Sequence, residues 1–341
     1  MSGVMTRARA GTGSVERGTR RFLRDYSAWG LLVLAVIWGT FQSGKFLTAS
    51  NFFAILTASG FLGCLVLAQS FVLLTGHFDL STETNMVFVS IVAGLLVTPR
   101  ATGSFAAGGG GIPWPVVIVI MFAIATLTGL INGLLVVKLR MNAFMVTLAM
   151  SIVLGGLSLV VGQGRNLFGF PAAYSWLGSA QIGQLPVSGI FLVLLFVIGH
   201  IIFTRTTFGR SLYAVGSSRT AAQAAGINDD RIIISAFAIS GFLCGVAGLL
   251  LSGELGSASP SMSTGALFLS VAAAVIGGVS LFGGQGTAAG MFAGLLLIVT
   301  IQNVMNLSSI PSNWVSVVSG GVILVAVFVD GVRVRRFARS S

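Results

Sequence analysis

The chain is written in long apolar runs separated by short polar stretches. A helix needs about 20 apolar residues to cross a hydrocarbon core of roughly 30 Å. By that measure the runs predict ten transmembrane helices, near residues 28–47, 52–74, 84–98, 115–137, 144–162, 187–204, 232–252, 265–282, 287–304 and 314–330. The third is short, and as a helix it would reach only about 22 Å. It follows the polar stretch 76–83, GHFDLSTE, and a second such stretch, 253–265 (GELGSASPSMSTG), lies between two later spans. Polar, broken backbone is tolerated at membrane depth only where protein buries it or a wet cavity faces it. GHFDLSTE therefore predicts a discontinuous or re-entrant segment. In a five-plus-five arrangement the two breaks are equivalent, and an odd number of spans per half makes the halves inverted.

Glycine, 46 residues in all, is partly placed at helical spacing: Gly286, Gly290 and Gly294; Gly129 and Gly133; Gly241 and Gly245. Such rows let neighbouring membrane helices approach closely. The cluster Gly283-Gly284-Gln285-Gly286 sits between spans and predicts a tight turn or helix break.

Composition agrees with the pattern. Hydrophobic residues make up 55% and charged residues 8%, with a mean hydropathy of +0.98, whereas soluble domains carry roughly a quarter charged residues. The formal net charge of +11 is that of basic residues flanking apolar runs, not of a nucleic-acid-binding surface. With both termini cytoplasmic, all but Lys45, Arg100 and Arg165 of the 19 Lys and Arg residues fall inside, a strong positive-inside signal. Residues 1–27 then form a basic cytoplasmic tail without the apolar core of a signal peptide. Residues 28–330 form the membrane-spanning body, and 331–341 a second basic cytoplasmic tail. Cys64 and Cys244 fall inside spans and read as buried structural thiols.

The stretch 205–231, RTTFGRSLYAVGSSRTAAQAAGINDDR, is a long, charged, helix-capable loop on the cytoplasmic side. Ser217 and Ser218 offer N-cap oxygens, 219–225 is Ala-rich, and Gly226 is a natural stop. These predict a short surface helix whose small face (Ala221, Ala222, Ala224, Ala225) admits a partner closely, with Arg210 and Arg219 supplying charge. It is a candidate coupling helix.

The chain has no Gly-x-x-x-x-Gly-Lys-Ser/Thr pattern, so ATP, if used, must be bound by another polypeptide. No catalytic, cofactor or metal motif stands out, and eight acids scattered along the chain form no cluster. Asp79 reads either as a cap for the helix starting around Ser81 or as a pathway group, and Glu83 in the same turn as a helix-dipole partner. Asn132, Thr147, Asn303 and Asn306 must bond across helices or face a pathway. His77, two residues from Asp79, invites a proton-relay reading beside a plain hydrogen-bonding one.

Four ordered segments carry a resemblance: LLTGHFDLS (73–81), INGLLVVKLRMNAFMVTLAM (131–150), TTFGRSLYAVGSSRTAAQAAGI (206–227) and VIGGVSLFGGQGTAAG (275–290) with the Asn303–Asp330 tail. From about residue 28 to 330 the chain resembles the permease subunits of ribose-type monosaccharide ATP-binding-cassette importers. The resemblance implies an all-α polytopic membrane protein of about ten transmembrane helices with a cobalamin-importer-like permease fold. It also implies an inner-membrane homodimer, or a heterodimer with a close relative, joined to a cytoplasmic ATPase, which binds ATP and Mg, and fed by a periplasmic sugar-binding protein. The permease itself binds no cofactor or metal and catalyses nothing. By position, Gly209, Arg210, Gly216, Arg219, Ala221, Ala222 and Gly226 take the ATPase-coupling role, and Asp79, Ser81, Asn132, Thr147 and Asn303 are the candidate pathway groups. The chain departs from the family pattern in three places: His77-Phe78 and Thr82-Glu83 replace the common Gly-Ile and Val-Gly, Met-Asn-Ala before Phe144 lacks a proline, and 267–270 lacks an acidic residue. These point to an atypical ligand subgroup. The alternative reading is an ion-coupled secondary transporter using His77, Asp79 and Glu83.

Overall fold

The computed structural model describes residues 28–98 and 110–310, together with Trp314, Val317, Gly320, Gly321 and Leu324. The protein is an α-helical polytopic membrane protein, and six of its described helices are long and apolar enough to span a bilayer. These are α2 (Ala49–Leu74), α4 (Trp114–Lys138), α5 (Ala143–Gly162), α7 (Val187–Arg205), α10 (Asp229–Leu255) and α12 (Ala288–Leu307). Three apolar helices are shorter: α1 (Ala28–Gln42), α3 (Thr82–Val97) and α11 (Ala266–Ile276). Short helices α6 (Ala172–Ser179), α8 (Thr207–Ser217) and α9 (Arg219–Ala224) lie in the connections. Of the 314–330 span, Trp314, Val317, Gly320, Gly321 and Leu324 are helical; its remainder, Arg100 and both basic tails lie outside the described residues.

The centre is α2 and α10. Each is buried on every side over about half its length, from Ser59 to Leu74 and from Ser240 to Gly253 apart from Phe61 and Phe242. No polar stripe is therefore needed on either, and their buried Cys64 and Cys244 are free thiols. α4 packs on α10 most extensively, running antiparallel to it, and Lys138 and Asp230 form a 2.9 Å ion pair where the two meet at one end. At that crossing a Cβ added to Gly129 would overlap the Phe237 carbonyl, and one added to Gly241 the Ala125 carbonyl. The glycine rows thus bring backbone onto backbone, and Gly290 and Gly294 do the same between α12 and α11. Gly286 differs from its predicted place: it lies before α12, in the turn, where its φ of 154° is outside any helix. Two two-residue ladders complete the connections, β1 (Leu167–Phe168) with β4 (Ser257–Ala258) and β2 (Gln181–Ile182) with β3 (Leu185–Pro186).

The predicted span 265–282 is corrected by the structure. α11 has 11 residues, about 16 Å, too short to cross. An apolar run gives no warning of this because Gly277 and Gly278 continue the low polarity while ending the helix, Gly278 with a φ of 89°. The first predicted span, 28–47, likewise ends at Gln42, and a turn leads into Thr48, which caps α2 by accepting from the Asn51 amide.

Candidate functional site: two breaks that meet at Glu83

The breaks seen in the sequence are where two partial helices begin. α2 ends at Leu74 beside the glycine turn, whose Gly284 amide donates to the Leu74 carbonyl at 3.0 Å. The chain then turns back into the bundle, because Asp79 accepts from Ser240 Oγ at 3.4 Å. Ser240 lies well along α10, about 16 Å from its first residue. On the other flank Asn132 Nδ2 donates to Ser81 Oγ at 2.9 Å and Asn85 Nδ2 to the Ala125 carbonyl at 3.1 Å. α3 thus starts in the interior, parallel to α10 and antiparallel to α4. The segment 75–81 is re-entrant.

The second break mirrors this. After α10 ends at Leu255 the chain pairs briefly as β4 and then returns to the level of α3, where α11 starts and runs the opposite way, down to the glycine turn. The two helix starts are joined by one side chain: Glu83, half-buried in the first turn of α3, accepts from the Gly265 amide at 3.1 Å and the Leu267 amide at 2.8 Å. Gly265 offers no side-chain cap to α11, and while the Ala266 amide donates to the Ser263 carbonyl, the Gly265 and Leu267 amides have no backbone acceptor in the helix. The carboxylate supplies both, and its charge complements the positive ends of two helices at once. Two departures from the family pattern thereby coincide in space. Exchanging Glu83 for Gln leaves at most one good acceptor and removes the charge. We expect E83Q to lose about 1–3 kcal/mol of stability, read as a lowered melting temperature in detergent; an unchanged melting temperature would refute the capping role.

The other predicted site residues fall into three places. Asp79 is buried at 2% exposure; its Oδ1 accepts from the Ser81 amide (2.9 Å) and Ser81 Oγ (2.6 Å). It therefore fixes the residue before α3 rather than bonding an N2 or N3 amide, and with Ser81, Ser240 and Asn132 it forms a buried polar cluster. Thr147 donates to Ala143 and approaches the Phe78 carbonyl at 3.4 Å, bringing α5 against the same break. Asn303 stands apart, exchanging two bonds with Asn51 (3.0 and 2.8 Å) to tie α12 to α2.

In the 205–231 stretch Ser218 alone is the cap, its Oγ accepting from the Ala221 amide at 3.3 Å, while Ser217 closes the preceding helix. Gly226 follows α9 with a φ of 78°, the left-handed stop expected of it. The stretch also holds α8, which the sequence reading did not foresee: its Leu212 and Val215 are buried, and Tyr213 Oη donates to the Gly286 carbonyl at 2.9 Å. Gly209 packs on the α7 backbone at Ile202 and Phe203, and Gly216 against Leu74 and Gly284. Ala222 does not belong to an outward small face. It is buried at 3% exposure in a cluster with Val136, Val215 and Phe237, whereas Arg210, Arg219, Thr220, Ala221, Gln223 and Ala224 are exposed.

His77 sits beyond the end of α2, half-buried, with its ring edge toward Phe237 of α10. Thr75 Oγ1 gives its proton to the Val72 carbonyl (2.7 Å) and lies 2.9 Å from His77 Nδ1, so Nδ1 carries the hydrogen. Nε2 then accepts from the Arg219 guanidinium at 2.6 Å. Burial, and secondarily the Arg219 charge, push the imidazole pKa down to about 4. His77, Asp79 and Glu83 consequently face three different partners and do not converge.

Comparison with known proteins accords with this architecture. Residues 51–327 match the family described as branched-chain amino acid transport system / permease component. The ribose import permease protein RbsC of Bacillus subtilis (strain 168) is 34% identical over 304 residues, 88% of this chain and 90% of that one. The protein of the same name from Haemophilus influenzae is 30% identical over 314 residues, 91% and 94% of the two chains. The fructose import permease protein FrcC of Rhizobium meliloti is 32% identical over 309 residues, 88% and 83%. No solved structure matches.

Proposed function

Because the chain belongs to the branched-chain amino acid transport system / permease component family, we propose that it is the translocating subunit of an ATP-driven importer for a monosaccharide or related polyol. The observation that carries the substrate class is the likeness, along nine-tenths of the chain, to permeases named for ribose and fructose. In this reading residues 28–330 form a membrane body of about ten helices in a cobalamin-importer-like fold, with α3 and α11 entering it only part of the way. It sits in the bacterial inner membrane with both termini and the 205–231 loop in the cytoplasm, flanked by the tails 1–27 and 331–341. Two copies form a homodimer, a cytoplasmic ATPase holds the ATP and Mg, and a periplasmic binding protein delivers the sugar.

The geometry suits alternating access. α3 and α11 begin at one level, joined by Glu83, and run apart, with half-helix starts directed inward as in other transporters. The exposed face of α8 and α9 offers the ATPase a platform. Its inner face rests on the ends of α2 and α10 and on the turn 283–286, so its displacement is passed to both breaks.

The test is reconstitution of this chain with a cytoplasmic ATPase and a periplasmic binding protein from the same organism, scanned against pentoses, hexoses and polyols. One loaded binding protein should stimulate ATP hydrolysis and drive uptake. Uptake that survives ATP depletion but fails when the proton gradient is collapsed would overturn the proposal in favour of ion coupling.

A further inference from the structure

The break between α2 and α3 is held at alternate residues by four different elements. His77 bonds Arg219 of α9, Asp79 bonds Ser240 of α10, Ser81 bonds Asn132 of α4, and Glu83 bonds the start of α11. A trans-peptide backbone does not stretch, each residue adding at most about 3.6 Å. A displacement imposed at His77 is therefore shared among the bonds that follow it. Arg219 is the first residue of α9, and its exposed side chain is one the partner ATPase meets in the docking arrangement proposed above. One guanidinium thus faces the docking surface and, through the imidazole, the break that ends at Glu83.

We propose that the His77–Arg219 contact is the joint by which movement of the docked helix α9 is delivered to the re-entrant break, making His77 a positioning residue for coupling. The inference rests on the docking role of 205–231. The contact suits the task because a neutral imidazole anchored at Nδ1 by Thr75 presents a lone pair in one direction. A charge-assisted bond of 2.6 Å is among the stronger non-covalent links available to a side chain. Its partner Arg219 is fixed at the helix start by the Ser218 cap.

The experiment measures sugar imported per ATP hydrolysed by the reconstituted complex in proteoliposomes. H77A should lower that ratio about tenfold, the scale of losing one bond to a charged group, while basal ATP hydrolysis and co-purification of the ATPase stay unchanged. H77Q, whose side-chain carbonyl supplies an acceptor, should keep most of the ratio. In the assembled complex R219A should lower the ratio at least as far as H77A, and H77A/R219A should be no worse than R219A alone. A merely structural role would lower uptake and hydrolysis together and leave the ratio intact, which overturns the proposal, as does a double variant whose losses multiply. If H77A proves unstable, H77F preserves the edge contact with Phe237 and removes only the acceptor. Docking is judged separately by ATPase co-purification with A224W. If that variant assembles normally, the docking reading falls. If it does not assemble and H77A keeps the wild-type ratio, docking stands and the joint falls.

Discussion

Gly241→Val should leave little folded protein in the membrane, with a melting temperature well below that of the wild type. At this position α10 lies so close to α4 that a Cβ overlaps the Ala125 carbonyl. That carbonyl belongs to a helix interior and also receives the Asn85 amide, so it cannot tilt away without disturbing α3. Overpacking costs about 1–3 kcal/mol where side chains can adjust, and here only whole helices can, placing the variant at or above that range. The matched control is Gly156→Val, where an added Cβ meets nothing within 4 Å. Thermal unfolding and size-exclusion profiles in detergent compare the two directly. Equal behaviour would mean that α4 and α10 are not in contact as described.

Ala224→Trp is expected to insert and melt like the wild type yet to abolish uptake, because Ala224 is exposed on the outer face of α9. An indole there lifts a partner off the platform, and loss of a central interface contact commonly costs 2 kcal/mol or more, roughly thirtyfold in affinity. Ala222→Arg gives the opposite signature. Ala222 is buried against Val136 and Phe237, so the arginine damages the fold before it touches any partner. Wild-type uptake by A224W, with the ATPase still bound, would remove α9 from the docking surface.

These two alanines also show how far the sequence could be read. An alanine-rich stretch between Ser218 and Gly226 is legible as a helix, since the cap and the stop are local chemistry. Which alanine faces inward depends on α8, and α8 was not legible because Gly209 and Gly216, poor helix formers, occupy its packed face. The apolar runs gave good spans wherever the helix is long. They failed at 265–282, where glycine ends a helix without raising polarity. The polar breaks were visible in composition, and Asp79 and Ser81 do occupy one. The partners of Asp79, Glu83 and His77 were not visible, because Ser240, Gly265 and Arg219 come from far along the chain. The hint available for Glu83 was that the helix beginning near Gly265 has no side-chain cap of its own.

At the end of the molecule away from α9, the ladder of Leu167–Phe168 with Ser257–Ala258 has a mechanical consequence. The chain leaving α10 is clamped to the loop after α5 immediately before residues 259–265, which end at the Glu83 cap. The α11 start is therefore wired to both faces in series, through His77 and the re-entrant turn on one side and through this clamp on the other. Whatever seats against the 167–168 loop is separated from the Glu83 junction by only that short tether.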